Sequence, residues 1–135
     1  MIKKKMMVLA CTLATCAVMS DIPVAADTVS YNWQFNSVAE TERTGEGYKN
    51  DNEQNYYISI NAGNLSGSNF FGTRIRRTSD GAYMSNYVLH DRTKKSARYP
   101  YSARANTNTK YHMRGKKDSS SASTLPLNVA GKVTY

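Results

Sequence analysis

From Val29 onward the chain alternates between apolar and polar positions. Val29, Tyr31, Trp33 and Phe35 share one parity, with Ser30, Asn32 and Gln34 between them. Tyr56, Ile58 and Ile60 alternate with Tyr57, Ser59 and Asn61, and Phe71, Thr73 and Ile75 alternate with Gly72, Arg74 and Arg76. Tyr83 to His90, Thr107 to Met113 and Leu125 to Tyr135 continue the pattern. A period of two marks strands with one buried face and one solvated face. No segment after residue 26 shows a 3.6-residue apolar repeat, so no helix beyond a turn or two is expected.

Turn chemistry falls between these runs. Thr44-Gly45-Glu46-Gly47, Gly63-Asn64-Leu65-Ser66-Gly67 and Gly115 to Thr124 are rich in Gly, Asn and Ser. Asp80-Gly81, between two alternating runs, is the best hairpin signal. Six or seven strands at this spacing predict an all-β fold, an antiparallel β-sandwich or a small barrel. Trp33, in parity with Tyr31 and Phe35, is expected in its core. Tyr56 and Tyr57 must point to opposite faces. Tyr99-Pro100-Tyr101 reads as an exposed aromatic loop, because Pro100 cannot donate to a strand ladder.

The first residues follow another pattern. Lys3, Lys4 and Lys5 precede an apolar run from Met6 to Val18, and Val24-Ala25-Ala26 supplies small residues. A positive start, an apolar middle and a small-residue end read as a secretory signal over 1–26, cleaved after Ala26. The run is shorter than the about 20 apolar residues that span a bilayer, so no transmembrane segment is expected. The expected product, 27–135, is one secreted domain. Cys11 and Cys16 both lie in the leader, so this product has no thiol and must rely on packing. Leu13-Ala14-Thr15-Cys16 offers an alternative reading, lipidation at Cys16. The pattern suits an exported Gram-positive protein.

Charge sharpens the picture. The whole chain carries +8. Residues 27–135 hold fifteen Lys and Arg against nine Asp and Glu, a net of +6. Up to Phe71 two basic residues meet six acidic ones, and from Gly72 thirteen basic meet three acidic, so the two parts carry −4 and +10. An imbalance of this kind implies a partner of opposite sign. The candidate contacts are Arg74, Arg76, Arg77, Arg92, Lys94, Lys95, Arg98, Arg114, Lys116 and Lys117, with Arg104 and Lys110 beside them. Arg grips phosphate in two-point fashion and Lys supplies a point charge. Expected partners are anionic envelope polymers such as teichoic acids, lipid headgroups or lipid-linked wall precursor; export argues against nucleic acid.

An enzyme is not expected. His90 and His112 are the two histidines, with no second ligand at metal spacing, and no catalytic residue, metal or cofactor is assigned. Glu40, Glu42, Glu46, Asp51 and Glu53 lack the spacing of a calcium loop and read as a solvated segment.

Two resemblances follow from particular residues. Tyr101-Ser102-Ala103-Arg104-Ala105, Tyr111-His112-Met113-Arg114-Gly115 and Leu127 to Tyr135 resemble a small secreted Gram-positive family, domain of unknown function 2712. That resemblance implies a signal peptide plus one β-domain and brings no activity. Ala82-Tyr83-Met84-Ser85-Asn86-Tyr87, with His90 and Thr93-Lys94, is similar to lactococcin 972 type bacteriocins, which implies a cysteine-free secreted β-sandwich directed at wall precursor. Met84 is an insertion in that segment, and the family's second His and aromatic-rich tail are missing. Three functions follow as expectations: a secreted non-enzymatic binding protein that uses its basic part, a bacteriocin-like toxin, or a surface protein whose charges only confer solubility.

Overall fold

The computed structural model describes residues 26–135. The signal segment expected over 1–26, with its three lysines and both cysteines, lies outside them apart from Ala26. Nine strands are present among the described residues: β1 (Thr28–Phe35), β2 (Thr41–Arg43), β3 (Gly47–Lys49), β4 (Asn55–Gly63), β5 (Phe71–Arg77), β6 (Val88–His90), β7 (Lys95–Pro100), β8 (Thr109–Lys117) and β9 (Leu127–Thr134). No helix occurs among the described residues, and none is long and apolar enough to cross a membrane.

The strands form a β-sandwich. One sheet runs β1-β9-β4-β7, and the other runs β2-β8-β5-β6 with β3 also paired to β8. Every pairing is antiparallel. The architecture is the expected one; the strand count exceeds six or seven because β2 and β3, of three residues each, and β7 are added, while of the expected run from Tyr83 to His90 only Val88–His90 is strand. Three residues carry too little alternation to register as a period.

Parity decides what the sandwich buries. Tyr31, Trp33 and Phe35 of β1, Tyr56, Ile58 and Ile60 of β4, and Leu127, Val129 and Val133 of β9 face inward and are buried. Phe71 and Ile75 of β5 meet them with Tyr111 and Met113 of β8. Trp33 stands edge-on to Phe71 across the layers, with ring centroids 6.3 Å apart. Tyr56 is fully buried while Tyr57 is 37% exposed, as opposite faces require. Burying an apolar side chain of this size contributes about 1.5–3 kcal/mol, so these residues supply the main driving force for folding.

Tyr99-Pro100-Tyr101 departs from the expected exposed loop. Lys95–Pro100 is an edge strand, Tyr101 is buried, and Tyr99 packs against Tyr56 at 5.6 Å. A proline is tolerated on an edge because its missing N–H leaves no ladder bond unmade. Asp80-Gly81 does turn the chain between β5 and β6. Gly81 takes φ +71° and its N–H donates to the Arg77 carbonyl at 2.8 Å. The backbone then returns along β5, with the Ala82 carbonyl accepting from Arg77 N–H and Tyr83 bridging to Arg76. This return lays residues 82–87 beside the second sheet.

Candidate functional site

The outward face of the second sheet is built from β8. Gly115 points inward, since a Cβ there would lie 2.4 Å from the Trp33 ring. The alternate positions Lys110, His112, Arg114 and Lys116 therefore share the outer face. Directly paired residues on neighbouring strands lie on one side. Register sets Arg114 between Arg43 of β2 and Arg74 of β5, His112 beside Arg76, and Lys116 between Thr41 and Gly72. The result is a stack of cationic rungs, with three arginines side by side on the middle one.

Residues 82–87 convert this face into a cleft of about 530 Å³, lined by Arg74, Arg76, Arg114, Lys116, Tyr83, Tyr87, Thr41, Gly72 and Gly115. Tyr87 lies against the backbone of Gly72, where a Cβ would meet its ring at 1.9 Å. Its hydroxyl donates to Asp118 at 2.8 Å. Tyr83 stands at the other end, 57% exposed.

Aromatic rings rather than carboxylates hold most of these cations. The guanidinium carbons of Arg74 and Arg76 lie 4.2 and 4.6 Å from the centre of the Tyr83 ring. The Lys116 ammonium lies 5.6 Å from that of Tyr87. Ion pairs among the described residues engage Arg43, Lys49, Arg77, Arg92 and Lys110, and leave out Arg74, Arg76, Arg114 and Lys116. A cation–π contact orients a charge without neutralising it. The Nε atoms of Arg74 and Arg76 are also shielded from solvent and without a protein acceptor. Such donors favour a site where an acceptor can be brought in.

The local potential is visible in neighbouring groups. Burial, followed by the charges of Arg43, Arg114 and Arg76, lowers the pKa of His112, and the Glu46 carboxylate opposes this. Hydrogen bonding from Arg76, then the charges of Arg76 and Arg74, lower that of the Tyr83 phenol. Burial first, and then the bond to Asp118, raise that of Tyr87.

Four of the ten residues expected to bind an anion come together here: Arg74, Arg76, Arg114 and Lys116. The others do not join them. Arg77 has the opposite parity and is tied to Asp80 at 2.6 Å. Arg92 and Lys94 lie in the connection before β7, and Lys95 and Arg98 lie on β7, in the first sheet. Arg98 pairs with exposed Tyr57 on the outer side of that sheet. Lys117 corrects the expectation most clearly. It faces inward at the end of β8, is 2% exposed, and donates to the carbonyls of Ser123 and Leu125, both at 2.7 Å. Its charge holds the Ser-rich loop in place and is withdrawn from any partner.

Sequence reasoning missed Arg43, Tyr83, Tyr87 and Gly72. Arg43 sits in the part of the chain with net negative charge, where nothing local ties it to the basic region. The shared parity of Lys110, His112, Arg114 and Lys116 was the available signal. Comparison with protein-family models, with curated proteins and with solved structures finds no match.

Proposed function

We propose that this chain is a secreted, non-enzymatic binding protein, and that the cleft over β5 and β8 holds an oxyanion-bearing component of the cell envelope. One observation carries the reading: four cations line a single cleft, and none of them forms an ion pair among the described residues. Like charges set directly opposite each other on a sheet cost about 0.2–1 kcal/mol, so the Arg74–Arg114 juxtaposition works against stability. A bound oxyanion offsets that repulsion, and the fork of each guanidinium suits it. The leader pattern directs the search for partners outside the membrane.

The test is retention on purified cell wall at rising salt, comparing the native chain with the triple variant Arg74→Gln, Arg114→Gln, Lys116→Gln. Retention is expected to fall steeply with salt and to be lost in the variant. The variant should unfold at a temperature equal to or above that of the native chain, because repulsion has been removed, so lost binding will not reflect lost folding. Retention that survives the triple substitution sinks the reading.

A further inference from the structure

The rungs of the cleft have a repeat, and the repeat selects a ligand. Outward residues on one strand recur every second position, about 6.6–6.8 Å apart. Along β8 this spacing separates Lys116 from Arg114 and Arg114 from His112, and along β5 it separates Arg74 from Arg76. Cationic positions therefore fall at three successive levels: Lys116, then Arg114 with Arg74, then Arg76. An extended chain advances about 3.3–3.6 Å for every three backbone bonds. Six bonds join successive phosphorus atoms when three carbons lie between phosphodiesters, a span of about 7 Å by the same measure. Phosphates sharing a bridging oxygen sit far closer and would crowd one level.

We infer that the cleft takes a run of consecutive phosphodiesters from a polyol phosphate chain, laid along β8 with one phosphate per rung. The inference rests on the oxyanion-binding reading above and adds the repeat of the ligand. Three features of the cleft fit such a chain. Its charge lies in the backbone itself, so it brings its phosphates directly to the cations of a cleft lined by Tyr83 and Tyr87 and by Thr41 of β2. The middle rung offers arginines from neighbouring strands to the two free oxygens of one diester. The rings at the ends are already engaged, Tyr83 by two guanidiniums and Tyr87 by the Gly72 backbone. Single-stranded nucleic acid shares the phosphate spacing, but it is held by stacking successive bases on aromatic faces, whereas of the two cleft rings the exposed one, Tyr83, is shared with two guanidiniums.

Calorimetry at low salt on the purified chain would use glycerol 3-phosphate and oligo(glycerol phosphate) with two, three and four phosphates. Oligoglutamate and oligothymidylate of matching charge complete the series. Affinity should rise at least about tenfold from one phosphate to two, because the second contact is made within an already bound molecule. It should rise again at three and flatten at four. The slope of log affinity against log salt should approach about −2 for three phosphates, at about −0.7 each. Substituting the middle rung, Arg74→Gln with Arg114→Gln, should abolish the gain from length while weak binding of the single phosphate persists. Equal affinity for one and three phosphates, or equal or tighter binding of oligoglutamate or oligothymidylate, overturns the phosphodiester register. If those outcomes accompany salt-sensitive retention on cell wall, the oxyanion-binding reading stands without the register. If retention is also insensitive to salt, both fall.

Discussion

At the scale of single residues, the interior holds ionisable groups that the surface pattern would not suggest. Lys49 is fully buried, its ammonium bonded to Asp51 at 2.7 Å and set over the Tyr101 ring at 5.2 Å. His90 is 1% exposed between Phe71 and Tyr99; its Nε2 meets the Thr73 hydroxyl at 2.8 Å, and its Nδ1 has no partner. Burial, helped by the charge of Lys95, pushes its pKa down to about 4 from 6.5. The folded state therefore keeps this ring neutral where the unfolded state has begun to take up a proton. Stability from this residue is complete above pH 6.5 and falls as pH drops toward 4, by up to about 3 kcal/mol. Urea midpoints at pH 7.5 and 4.5 should show that fall, and His90→Gln should remove a large share of it. An unchanged pH dependence in the variant would clear His90 of the role. Neither buried group was legible in the sequence: Asp51 stands two positions from Lys49, but the Tyr101 ring over Lys49 and the Phe71, Thr73 and Tyr99 side chains around His90 come from other segments. Trp33 and the Tyr56-Tyr57 pair were legible, since alternation alone assigns their faces.

At the scale of the element, β8 does two unrelated jobs on its two faces. Gly115 makes room for the Trp33 ring inside, and Arg114 and Lys116 flank it outside. Gly115→Ala would place a methyl group against a packed ring with nowhere to go, costing about 1–3 kcal/mol. Gly72→Ala presses on Tyr87, a half-buried side chain over the outer face of the sheet, rather than on the Trp33 ring. Fluorescence from Trp33, the single tryptophan, should shift in the first variant and hold in the second, while the second should weaken phosphate-ligand binding. The reverse pattern would show that the two faces have been assigned the wrong way round. The parity of β8 could be read from sequence, and with it half of the cleft. Its pairing with β2 and β5 could not, because register between strands so distant in the chain is set by packing across the sandwich.

At the scale of the whole molecule, the alternating pattern sufficed for the class of fold and not for its wiring. The order β1-β9-β4-β7 places the first long strand beside the last, with Thr28 bonded to Thr134 across 106 positions. Nothing in either segment names the other as its neighbour. This wiring has a consequence in time. The strands of the cleft-bearing sheet all end by Lys117, so their pairing can begin while Leu127–Thr134 is still a free tail. The Trp33 sheet must wait, since β9 is the wedge that joins β1 to β4, and until it arrives both strands show bare edges. Long-range closure of this kind is slow, on the order of milliseconds to seconds. Stopped-flow refolding should find the tryptophan signal arriving last, after binding competence for a phosphate oligomer. A tryptophan signal completed first would reverse that order. In the expected order the chain acquires its ligand grip before its full resistance to unfolding, and during that interval the ligand itself could act as a clamp on the half-built sandwich.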